Sequence, residues 1–152
     1  MNNLIQLLKE RQNDIIAEAM EVIKRAHLKH YEAEGLEMTE QRLKKLYDLT
    51  LQSVAKKNVI PLMEYVEIIA RERSSHGYDI YEVQTAFNVL EETIWNRILD
   101  ELRPIAYADA LGLISTILGI GKDTLARTYV SLASKKMTPY IDYKMLFEGF
   151  EA

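Results

Sequence analysis

The run Ala70-Arg71-Glu72-Arg73-Ser74-Ser75-His76-Gly77-Tyr78-Asp79-Ile80-Tyr81-Glu82-Val83 ends one helix and starts another, with only a short turn between them. Gly77 is a natural helix cap, because glycine takes the left-handed backbone at no steric cost. Asp79, followed three residues later by Glu82, reads as a capping box. It opens a helix whose apolar face is Ile80, Val83, Phe87, Leu90, Ile94 and Ile98. Upstream, Pro61 suits the first turn of the helix that Gly77 closes, with Leu62, Val66, Ile69 and Ala70 facing inward. Downstream, Pro104 stops the capped helix and begins a long one that runs to about Lys136. Gly119 and Gly121 weaken its middle by about 1 kcal/mol each relative to Ala.

The same spacing organises the rest of the chain. Leu4, Leu8, Arg11, Ile15, Ala19, Val22 and Ala26 recur every three or four residues, which predicts one long helix ending near His30. Thr39 is a plausible N-cap for a second helix that stops around Lys56-Lys57-Asn58. No stretch alternates with period two. The expected fold is therefore all-α: one compact bundle of about five helices over residues 1–137, with the long fourth and fifth helices antiparallel and central. Residues 138–152 form a separate aromatic tail (Tyr140, Tyr143, Phe147, Phe150), expected to dock on its own domain, on a neighbouring subunit or on a partner.

A chain of 152 residues buries enough surface to fold without staples. The absence of cysteine excludes disulfides and thiolate chemistry and suits a reducing cytoplasm. With 19 basic and 23 acidic residues the net charge is −4, a poor footprint for nucleic acid. Met1-Asn2-Asn3-Leu4 lacks the features of a signal peptide, and the apolar stretch Ala110–Gly121 falls short of a membrane span. A cytoplasmic protein without membrane or nucleic-acid partners is expected.

The run from Ala70 to Val83 continues as Ala86-Phe87-Asn88-Val89-Leu90 and Ile94-Trp95. Together with Leu7-Leu8-Lys9-Glu10-Arg11-Gln12-Asn13-Asp14-Ile15-Ile16, it resembles the N-terminal domains of RsbR-type co-antagonists of bacterial stress signalling. The resemblance extends from about Leu4 to Ser134 and is carried by helix punctuation rather than by chemistry. It implies a helical sensory domain, globin-like without haem, that dimerises and signals through another protein. Such domains are usually followed by a STAS domain, and this sequence shows none.

Candidate chemistry is sparse. His27 and His30 lie in a basic helix end and His76 abuts Gly77, so neither a haem pocket nor a metal site is expected. Gly119-Ile120-Gly121-Lys122-Asp123-Thr124 fails as a phosphate loop, because Thr116 and Asp123 stand where glycine and a hydroxyl residue are needed. Glu91-Glu92 and Asp100-Glu101 read as solvated charges, and no nucleophile–base pairing is evident. No catalytic residue, metal or cofactor is assigned. Arg71 and Arg73 complement the end of their helix or recognise an anion. Met63, Phe87, Trp95 and Tyr107 are candidates to line a cavity for a small apolar ligand, which would make the alternative function a small-ligand or haem-binding globin-type sensor, or else are simply core. Asp109, Gly112, Thr116, Gly119 and Asp123 form a stripe of small and polar residues on the fifth helix. Such a stripe serves either an internal close crossing or a self-association face.

Overall fold

The computed structural model describes residues 2–137; the aromatic segment 138–152 lies outside the described residues. The helices are α1 (Asn2–Glu10), α2 (Gln12–Ala26), α3 (Lys29–Glu34), α4 (Leu36–Lys56), α5 (Ile60–Ser75), α6 (Ile80–Glu101) and α7 (Pro104–Met137). No strand occurs among the described residues, so the class is all-α, with seven helices rather than about five.

The additional helices come from two breaks in the N-terminal stretch. Arg11 occupies a place in the apolar row but keeps its side chain partly exposed. The backbone bends there, and Arg11 Nε donates to Glu101 Oε1 at 2.8 Å. At His27 the backbone turns left-handed, with φ of 49°, a conformation rare outside glycine and asparagine. The His27 ring meets Glu32 at 2.7 Å, and α3 then swings round to bury Leu28 and Tyr31.

The segment from Arg73 to Glu82 follows its sequence signals closely. Gly77 has a φ of 83°, Gly77 N–H donates to Ser74 O at 3.2 Å, and Tyr78 N–H donates to Arg73 O at 2.9 Å. This is the Schellman arrangement, which satisfies carbonyls at the helix end. Asp79 and Glu82 then complete a reciprocal capping box at the start of α6.

Only Leu102 and Arg103 separate α6 from α7. Tyr107 reaches Leu99, Lys122 reaches Asn88, and Tyr129 reaches Tyr78. One number rises as the other falls, so the two helices run antiparallel. α7 packs against both α5 and α6. Leu62, Val66, Phe87, Leu90, Ile114 and Leu118 are fully buried between them, each contributing about 1.5–3 kcal/mol of apolar transfer. Gly121 permits the closest approach: a Cβ there would lie 3.2 Å from Phe87 Cε2. Buried hydroxyls cost little, because Thr50, Ser53, Thr93 and Thr128 each donate to the carbonyl four residues earlier.

Candidate functional site

Helix α7 is apolar on more of its circumference than its neighbours cover. The segment Pro104–Ser134 has a mean hydropathy of 1.4 in its most apolar window, and 28% of that window is buried. By length and composition it is the one helix among the described residues long and apolar enough to cross a membrane. Its inner face, with Ala110, Ile114, Leu118 and Leu125, is nevertheless core. Its outer face carries Ile105 at 90% exposure and Val130 at 64%. Between them, Asp109, Gly112, Thr116, Asp123 and Arg127 are exposed and Gly119 and Ile120 half-buried. At 100° per residue all these positions fall within one stripe.

The five stripe residues read from the sequence therefore share one open surface. A Cβ added at Gly112 or Gly119 would meet nothing within 4 Å, so neither glycine serves a close crossing among the described residues. The glycine at a tight internal crossing is Gly121, where the sequence alone offered only a helix-weakening residue. Alongside the first half of the stripe runs an open groove of about 840 Å³. Its floor includes Val54, Leu113 and Ile117, and its far wall is the turn at Lys57 and Asn58 between α4 and α5.

The four candidates for a ligand cavity are dispersed. Phe87 is in the core against Gly121 and Val66. Met63 is half-buried on α5, and Trp95 is exposed on α6. Tyr107 donates its hydroxyl to Leu99 O at 2.8 Å, clasping the α6–α7 turn. None of the four lines the groove beside α7.

A second polar concentration lies where α3, α4, α5 and α6 meet. Arg73 is 3% exposed, and its Nε has no hydrogen-bond partner. Its Nη1 reaches the Tyr31 hydroxyl at 3.4 Å, and the guanidinium lies 5.9 Å from the ring centres of both Tyr31 and Tyr78. Arg42 pairs with Glu34 at 2.6 Å and donates to the Tyr78 hydroxyl at 3.0 Å. Burial pushes the Tyr78 and Tyr129 hydroxyls up to about 12, with Arg42 and Arg73 respectively opposing the shift.

Beside them, Glu82 accepts from His30 N–H at 2.9 Å, the His30 ring at 2.6 Å and Asp79 N–H at 3.1 Å. Burial alone would raise its pKa, but these donors outweigh burial and hold the carboxyl below its usual range. An ionised carboxylate only accepts, so His30 Nδ1 carries the proton. The burial of Arg73 was readable in principle: Leu62, Val66, Ile69 and Arg73 follow one helical row. Arg71, by contrast, pairs with Glu67 at the surface.

His27 and His30 are thus engaged by carboxylates, and His76 is exposed. Among the described residues, no group of three or more His, Cys, Asp or Glu side chains is placed to hold a metal ion. Glu91 pairs with Lys122, and Glu101 with Arg11 and Arg97. No family model, curated protein or solved structure matches the chain.

Proposed function

We propose that this chain is a non-catalytic sensory or regulatory domain of bacterial stress or signal transduction, acting in the cytoplasm through protein–protein contacts. The observation that carries the reading is the outer face of α7, a stripe of small, apolar and charged residues flanked by an open groove and left uncovered by the described residues. Exposed apolar residues such as Ile105 and Val130, beside an open groove with an apolar floor, suit an interaction site on a folded domain. The resemblance to RsbR-type input domains supports the signalling assignment, a globin-like helix arrangement and a homodimeric working state. The buried titratable groups are engaged in structural contacts around α3 and the start of α6, which suits scaffold rather than turnover.

Native mass spectrometry tests the reading on the purified chain and on Gly112→Arg. The expected result is a self-associated wild type and a monomeric variant with unchanged helical circular dichroism. Two monomeric species at every concentration would refute it. A retained small molecule in the wild-type spectrum would favour a second reading, in which the apolar groove of about 840 Å³ beside α7 holds a ligand.

A further inference from the structure

The outer face of α7 carries three exposed charges, Asp109, Asp123 and Arg127, of which Asp109 and Arg127 match each other across a two-fold axis. Asp109 and Arg127 are 18 residues apart, which is about five full turns at 3.6 residues per turn, so they share the stripe. Both are exposed, and neither forms an ion pair or side-chain hydrogen bond among the described residues. Beyond them toward the helix ends lie the exposed Ile105 and Val130. Between them lie the small Gly112, Thr116 and Gly119, together with Ile120 and Asp123.

We propose that this face binds a second copy of the chain, with the two α7 helices antiparallel and Asp109 of each opposite Arg127 of the other. The inference rests on α7 being the interaction face of a homodimer and adds the relative direction and register of the two copies. Antiparallel alignment about the level of Leu118 pairs both charges at once and sets Ile105 against Val130 of the second copy. Parallel alignment would instead oppose Asp109 to Asp109 and Arg127 to Arg127. A two-fold contact uses one patch twice, so it requires a surface complementary to itself, as this stripe is. Gly112 and Thr116 allow the helices to approach closely. The α4–α5 turn at Lys57 and Asn58 makes the seat a groove rather than the back of a cylinder.

The chain contains no cysteine, so single-cysteine variants report the register directly. Ile105→Cys and Val130→Cys are prepared separately, mixed, and treated with a short bismaleimide. The expected product is the mixed 105–130 dimer, with no covalent dimer from either variant alone. Covalent dimers of each variant alone would mean parallel alignment and overturn the proposal.

Charge exchange gives an independent measure. Asp109→Arg and Arg127→Asp are each expected to weaken dimerisation about tenfold, since each turns two attractive pairs repulsive. The double variant restores it to within about threefold. Failure of the double variant to recover overturns the register. A wild-type dimer in light scattering without the mixed crosslink leaves the protein-contact reading standing and sinks this one. A monomer that floats with anionic lipid vesicles sinks both.

Discussion

Replacing Glu82 with Gln perturbs the contact that ties α3 to the start of α6, and its cost follows from counting acceptors. In the native structure Oε1 accepts from Asp79 N–H and the His30 ring, while Oε2 accepts from His30 N–H. A glutamine oxygen in the Oε1 position keeps the first two. Its amide then points N–H groups at the His30 backbone N–H, so one charge-assisted bond is lost and a donor is left facing a donor. Bonds to charged groups are worth about 1.5–3 kcal/mol, and an orphaned buried donor costs about 1–3 kcal/mol. Half-exposure of His30 trims both figures, so the expected loss is about 2 kcal/mol for Glu82→Gln and about 4 kcal/mol for Glu82→Ala, which orphans all three donors. At this chain length about 2 kcal/mol lowers Tm by roughly 4–8 °C. Urea denaturation at pH 7 measures the difference. The contact also sets a pH dependence. The folded Glu82 pKa lies below its unfolded value, so its stabilisation is complete above the ordinary carboxylate pKa and is lost as pH falls through the folded value. Wild type and Glu82→Gln should therefore converge in acid. A loss below about 0.5 kcal/mol at pH 7, or a gap undiminished in acid, would refute the acceptor count.

Arg73→Met should leave stability unchanged or raise it by up to about 2 kcal/mol, because it removes a buried guanidinium that has aromatic and hydroxyl neighbours but no carboxylate partner among the described residues. A thermal melt showing a loss above about 3 kcal/mol would mean that an anion normally neutralises it. Gly121→Val should cost about 1–3 kcal/mol by crowding Phe87, whereas Gly119→Ala, open on its outer side, should gain about 1 kcal/mol. Melts at low protein concentration compare them, and a destabilised Gly119→Ala would return that glycine to an internal role. Spectrophotometric titration should find Tyr78 and Tyr129 ionising near 12. Their raised values mean that this stabilisation is full below the free tyrosine pKa and is lost as pH rises through the folded value.

The helix boundaries at Gly77, Asp79, Pro61 and Pro104 were legible because each depends on a residue whose backbone or side-chain chemistry acts locally. The breaks at Arg11 and His27 were not. Neither residue is a helix breaker by propensity, and both bends are held by tertiary contacts, to Glu101 and through the burial of Tyr31. The outer stripe of α7 was legible as a stripe, but spacing alone cannot say whether a second helix of the same domain covers it. That depends on where α4 and α5 lie, and they stop short of Gly112. Arg73 shows the opposite difficulty: its place in the apolar row was visible, but a charge there ordinarily argues against burial. The tyrosine rings that accept it come from elements distant in sequence.

The composition of α7 also discriminates between the kinds of surface that could cover it. A helix apolar around most of its circumference is normally enclosed, by protein or by lipid. Among the described residues, α4, α5 and α6 enclose one side only. The uncovered side carries Asp109, Asp123 and Arg127 along its length, with Thr116 between them. In a hydrocarbon layer each such charge would cost about 2.5–3.5 kcal/mol at the centre, and Asp109 has no opposite charge one turn away on the stripe. At a protein contact the same charges sit at a wet rim or meet an opposite charge, and the small residues between them favour a second backbone over disordered acyl chains. The polar residues that interrupt the stripe therefore weigh toward a protein partner, and the match of Asp109 with Arg127 across a two-fold axis weighs toward another copy of this chain.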